Sequence, residues 1–273
     1  MTRLTFAKQR DPESIRGFTL FELLIVMGIV ALLMVLIAPA FTTIKGGTDV
    51  TSAAYTIKGV LDTARTYAKA NNTYTWVCFY EEDVSRPSTN PPTPGTGRLV
   101  MSIVASKDGS SSGGGCPGSP TVICPENLLQ VGKLIKIENV HVPLFALGTG
   151  TGDSFDARPS PSPASDANNS RFGELNGASP NTAPLTVTHK IQYPVGNPAP
   201  AAQYTFTKLL QFSPRGESSV VGDSAIRRVV EIGLIQTHGN VAPTPTPSAG
   251  NYVGNVVAVQ INGFAGDVRI YRR

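Results

Sequence analysis

The hydrophobic pattern divides the chain into a continuous apolar run, an amphipathic run and a long succession of short extended runs. Residues 23–38 are almost wholly apolar, and no charged residue occurs from 23 to 44. At a helical rise of ~1.5 Å per residue this stretch reaches the ~30 Å of a hydrocarbon core, so the pattern predicts a bilayer-spanning helix. Gly46-Gly47 is expected to interrupt it. From 48 to 70 apolar residues recur at Val50, Ala53, Ala54, Ile57, Val60, Leu61, Ala64 and Ala68. That is helical spacing, with Thr56, Lys58, Asp62, Thr63, Arg65 and Lys69 on the complementary surface. One stripe should therefore pack on a sheet, and Asn71-Asn72 should end the helix.

Beyond residue 72 the apolar runs are rich in β-branched and aromatic residues. Strands are predicted at 74–80, 98–105, 134–142, 185–193, 205–212, 229–236, 256–261 and 268–271. The last two read as a hairpin through Asn262-Gly263-Phe264-Ala265-Gly266-Asp267, and 212–216 as a turn after a strand. The intervening segments 86–97, 106–120, 147–170, 176–184 and 241–250 are biased to Pro, Gly, Ser, Thr and Asn. Their apolar surface is too small to offset the entropy of ordering, which makes them surface loops rather than domain boundaries.

Length and charge narrow the picture. The chain has 273 residues and a net charge of +4, enough for one sizeable domain after the apolar run. Arg3, Lys8, Arg10 and Arg16 outweigh Asp11 and Glu13 before that run, which favours a cytoplasmic N-terminus with the remainder facing outward. Basic residues are otherwise scattered, with no long run of them, so no nucleic-acid partner is expected. Of the three cysteines, Cys116 and Cys124 flank a short Gly/Pro/Ser-rich segment and form a candidate disulfide. Cys78 lies in an apolar strand and is expected to be a free, buried thiol. No ligand spacing links His141, His189 or His238 to the cysteine pair, and zinc is not predicted.

Catalytic patterns are weak. Gly109-Ser110-Ser111-Ser112-Gly113 matches G-x-S-x-G, but in low-complexity sequence without a strand-to-helix elbow, which disfavours a hydrolase built on Ser111. Residues 148–152 lack the spacing of a dinucleotide loop, and no phosphate-binding loop pattern occurs. Asp153 and Asp156 lack the spacing of a calcium loop. The chain is read as non-enzymatic, without cofactor or metal.

One residue contradicts the apolar pattern. Glu22 stands at its head, where an acidic side chain costs about 2.5–3.5 kcal/mol at a bilayer centre and less near the interface. It implies an interfacial position or a positive partner. The surrounding string, Gly17-Phe18-Thr19-Leu20-Phe21-Glu22-Leu23-Leu24, resembles the N-terminal processing motif of type IV pilins and of the pseudopilins of type II secretion. The resemblance implies that a membrane-embedded aspartyl prepilin peptidase cuts between Gly17 and Phe18 and methylates the new amine. It also implies that Glu22 faces the amine of a neighbouring subunit, and that Pro39 bends the helix. The run 61–72 is similar to the helix end of H-type minor pseudopilins.

The fold implied is α+β and pilin-like: a long N-terminal helix, membrane-spanning in its first half, packed on an antiparallel β-sheet domain with long Pro/Gly/Ser-rich loops. The domains would be a leader at 1–17, a transmembrane and filament-core helix at 18–44 and a periplasmic domain at 45–273. The function implied is that of a structural subunit, a minor pilin or pseudopilin. It would sit as a single-pass protein in a bacterial inner membrane and then assemble into a pilus or pseudopilus. Its partners would be the prepilin peptidase, other subunits, an inner-membrane assembly platform and the lipid bilayer. Three alternatives stay open: a secretory signal cut at Ala38-Pro39-Ala40, a plain single-pass anchor, and a membrane-anchored or secreted binding module that does not polymerise.

Overall fold

The computed structural model describes residues 19–111, 115–116, 119–160, 170–173, 190–196, 198, 200–220, 226–241 and 254–273, with the backbone alone at 35–49, 115–116 and 119–122. One α-helix, α1, spans Leu20–Ala70. It runs through Gly46-Gly47 without the predicted interruption; two helical glycines each cost about 1 kcal/mol relative to alanine, a penalty that does not forbid the helix. Its end matches the prediction. Asn72 adopts a left-handed φ of 48° and Thr73 N–H donates to Ala68 C=O at 3.0 Å, the long bond of a Schellman cap. The chain divides into two compact units within α1, Met1–Ile44 and Lys45–Arg273.

The second unit is dominated by β-structure. Its strands are β1 (Thr75–Asp83), β2 (Gly97–Ser106), β3 (Gly115–Cys116), β4 (Ser119–Ile123), β5 (Leu128–Gln130), β6 (Ile135–His141) and β7 (Arg171–Phe172). There follow β8 (Ile191–Tyr193), β9 (Tyr204–Phe206), β10 (Lys208–Phe212), β11 (Ser218–Val220), β12 (Val229–Gln236), β13 (Val256–Asn262) and β14 (Val268–Arg272). Ten of them make one sheet in the order β11-β10-β1-β2-β6-β12-β13-β14, with β5 beside β2 and β7 beside β12. All pairs are antiparallel except β7 with β12. The pairs β3-β4 and β8-β9 form separate small sheets.

Both faces of the large sheet are covered. On one face Val50, Ala53, Ala54, Ile57, Leu61, Ala64 and Ala68 of α1 meet Val77, Phe79, Leu99, Met101, Ile103, Leu210, Ile232 and Val259. The alanines let the helix backbone approach closely. The opposite face buries Trp76, Cys78, Val100 and Val104 against Ile123, Ile191, Tyr204 and Phe206. A third cluster joins Phe145 and Phe155 to Ile235, Val256, Ala258 and Tyr271. Double coverage explains why β2 is buried at every position, and why its sequence is a continuous apolar run rather than an alternation. At Gly233 the strand has no side chain because the segment crossing it is too close: an added Cβ would lie 2.6 Å from Pro143 O and 2.8 Å from the Phe145 ring.

Two expectations are corrected here. The pilin-like α+β fold with a membrane-spanning half-helix gives way to a body governed by a ten-stranded sheet, sandwiched rather than simply backed by a helix. Among the described residues no helix is long and apolar enough to cross a membrane. The apolar side chains described at the start of α1 occupy 20–34, about 22 Å of helix, against the ~30 Å that a bilayer core requires. The single-pass inner-membrane location, the transmembrane helix and the membrane assignments that depended on them are therefore withdrawn. At finer scale, the single strand predicted at 205–212 is two strands in different sheets, parted at Thr207. Residues 185–189 of another predicted strand lie outside the described residues.

Candidate functional site

The start of α1 is the first candidate. Thr19 C=O accepts the first helical bond, from Leu23 N–H at 3.2 Å, which makes Thr19 the N-cap. Its side-chain oxygen accepts from Glu22 N–H at 3.2 Å, while Glu22 Oε2 accepts from Thr19 N–H and from Thr19 Oγ1–H, both at 2.9 Å. This is a reciprocal capping box. It gives Glu22 a local partner and removes the need for a distant cation to account for it. The pattern Thr19-x-x-Glu22 was visible in the sequence. The carboxylate also lies at the positive end of the helix dipole, where negative charge is favoured.

Past this cap, every described residue from 20 to 34 is exposed. The exposed side chains include Leu20 at 83%, Phe21 at 70%, Leu32 at 64% and Met34 at 68%. They lie all round the helix rather than on one stripe, and a helix apolar on all sides is ordinarily buried on all sides. Monomeric proteins rarely leave such a contiguous apolar surface uncovered. The chemistry available here is association, not catalysis.

The other predicted site residues are scattered in their standing. Gly17 and Phe18 lie outside the described residues. Pro39 lies within the span of α1, and its side chain is outside the description, as is that of Cys116. Cys124 is disulfide-bonded. Cys78 is free and buried, and its thiol is pushed up by burial. Ser111 is exposed, and its carbonyl accepts from Gln211 Nε2 at 2.7 Å. Among the described residues no group of three or more His, Cys, Asp and Glu side chains could hold a metal ion.

Three polar clusters that the sequence reading did not single out lie inside the second unit. In the first, buried Glu82 meets Arg98 and Lys136, each at 3.4 Å, and accepts from Ser88 at 2.8 Å. Lys136 also donates to Tyr204 at 2.8 Å and to Ser88. A serine beside a lysine and a tyrosine invites a nucleophilic reading. Lys136 is held by Glu82, Ser88 and Tyr204 together, and Ser88 is itself bonded to Glu82. The cluster fixes the 84–96 segment to the sheet. Tyr80 nearby is raised to about 12 by burial, then by the charge of Glu82 and by Tyr204.

In the second cluster Arg158 donates from Nε and Nη2 to Glu231 at 2.7 and 3.0 Å. It also donates to the carbonyls of Phe155 and Ala146, and Gln260 donates to Glu231 at 2.7 Å. Arg158 and Glu231 are 1% and 2% exposed in their side chains, so the pair is a dry clamp on the 146–158 segment. In the third, His141 Nδ1 lies 2.8 Å from Glu81 Oε1, and Gly97 N–H donates to the same oxygen. These groups come from strands far apart in sequence, and only pairing brings them together. Outside these clusters Lys208 is 4% exposed, and burial lowers its pKa.

Comparison with protein-family models, curated proteins and solved structures gives no match, so the family resemblance rests on the sequence itself, on residues 17–24, Pro39 and the run 61–72.

Proposed function

We propose that this chain is a structural subunit of the prepilin-like class, cut after Gly17 by a prepilin-type peptidase and assembled with other subunits through the apolar surface of residues 20–34. The observation that carries this reading is the exposure of that surface on all sides of the helix, beneath a cap that is complete without any residue before Thr19. Cleavage between Gly17 and Phe18 would leave the capping box intact. It would also free an amine one residue from Thr19, so the processed end would carry a positive charge near the Glu22 carboxylate. Association would bury aliphatic side chains at about 25 cal/mol per Å² of apolar area, and the β-rich unit would decorate the assembly.

The test is mass spectrometry of the N-terminal peptide, from cells with and without the peptidase, combined with sedimentation of the purified protein. The expected result is a chain beginning at N-methylated Phe18 that sediments as a large species. A start at Phe41, or a uniformly monomeric mature chain, would overturn the proposal and favour a non-polymerising binding module.

A further inference from the structure

The end of α1 carries two cations that lack any acceptor. Arg65 Nε is buried without a hydrogen-bond partner, and neither Arg65 nor Lys69 makes an ion pair or hydrogen bond to another described residue. Carboxylates of neighbouring segments are engaged elsewhere, Asp267 with Arg269 at 3.8 Å among them. Asp62 pairs with Lys58 at 3.1 Å, and Glu217 accepts from Ser213 Oγ at 3.1 Å. Arg65, Thr66, Lys69 and Ala70 line an open groove of about 410 Å³.

Two turns close against the side chains of Arg65 and Lys69. An added Cβ at Gly216 would lie 3.0 Å from Lys69 Cδ and 3.3 Å from Arg65 Nε; one at Gly266 would lie 3.0 Å from Arg65 Nε and 2.1 Å from Gly216 O. Both glycines have left-handed φ, 90° and 67°. Their missing side chains let the backbone seat the guanidinium, so its position is set before any ligand arrives. Like charges four residues apart on a helix repel. The negative end of the helix dipole favours cations in this turn, which accounts for their presence but supplies neither with an acceptor.

We propose that this groove is a phosphate-binding site, with Arg65 providing a planar donor fork and Lys69 the second positive charge. A phosphate carries close to two negative charges and several acceptor oxygens, which matches two unpaired cations. A carboxylate would leave one charge unmatched.

The experiment is calorimetric titration of the full chain with inorganic phosphate, chloride holding the ionic strength constant. The site predicts saturable binding of one phosphate per chain, weakened about tenfold or more in Arg65→Gln and several-fold in Lys69→Gln. Arg86→Gln, a change of the same charge in the loop after β1, should bind as the unmodified chain does. O-Phosphoserine, run in parallel, supports the site in either outcome: tighter binding than inorganic phosphate assigns it to phosphate esters, weaker binding to the free ion. Absence of saturable binding, equal binding by all three variants (an adventitious ion only), or acetate binding as tightly as phosphate would each overturn the proposal. Near-ultraviolet circular dichroism checks the fold of each variant. Should Arg65→Gln not fold, the exposed Lys69→Gln decides the question alone.

Discussion

The two described stretches of α1 obey the same helical geometry and opposite rules of burial. Over 20–34 bulky aliphatic residues cover every side, and all are exposed. Over 50–68 the aliphatic residues are confined to one stripe, include four alanines at 53, 54, 64 and 68, and are buried against the sheet. Hydrophobicity by itself therefore does not say what a helix packs on. A stripe of small side chains is matched to one flat partner within the same chain, whereas an all-round apolar surface can be satisfied only by neighbours on several sides. The second stretch is satisfied within the fold, and the first is the surface on which the proposed assembly rests.

That contrast can be broken by substitution. Phe79 packs beneath the second stretch and meets the Phe172 ring edge-on at 5.2 Å; Phe79→Ala should cost about 3–5 kcal/mol, read by denaturant unfolding. Ile57→Ala, on the helical side of the same core cluster, should cost about 2–5 kcal/mol. Gly233→Ala should cost about 1–3 kcal/mol, because its new methyl meets the Pro143 carbonyl and the Phe145 ring. Leu24→Ser, at a residue 61% exposed, should change unfolding by less than about 0.5 kcal/mol and yet reduce sedimenting assemblies. Equal stability losses from Ile57→Ala and Leu24→Ser would erase the distinction between the two stretches.

The smallest expected effect is the most discriminating. Glu22→Gln retains an acceptor for the capping box and removes the charge. If capping is the residue's role, assembly and helicity should match the unmodified chain, while Glu22→Ala should lower both. If Glu22 instead pairs with a neighbour's amine, Gln and Ala should fail alike in the sedimentation assay.

Much of the local structure was legible in advance. Strands β1, β2, β6, β12, β13 and β14 fall where β-branched and aromatic runs predict them, and Asn71-Asn72 marks the end of α1. Short strands such as β5, β7 and β11 escaped, because two or three residues carry no period to read. The polar clusters escaped for another reason. Glu82, Arg98 and Lys136 each look like an ordinary surface charge until β1, β2 and β6 are laid side by side, and Tyr204 reaches them from a separate small sheet. Glu22 has a partner that the reading did not name: Thr19, three residues away, in a capping-box motif the sequence displays openly.

The sequence by itself determined where the chain is helical, where it is extended and where α1 is capped, because those choices rest on interactions within a few residues. It also determined the all-round apolar surface of 20–34, which is a property of composition. Only the tertiary structure decided that β12 lies beside β6, that 205–212 splits between two sheets at Thr207, and that Arg65 ends without an acceptor. Strand order and side-chain pairing are settled by contacts between residues tens to hundreds of positions apart, and a local pattern carries no record of which distant partner will bury it.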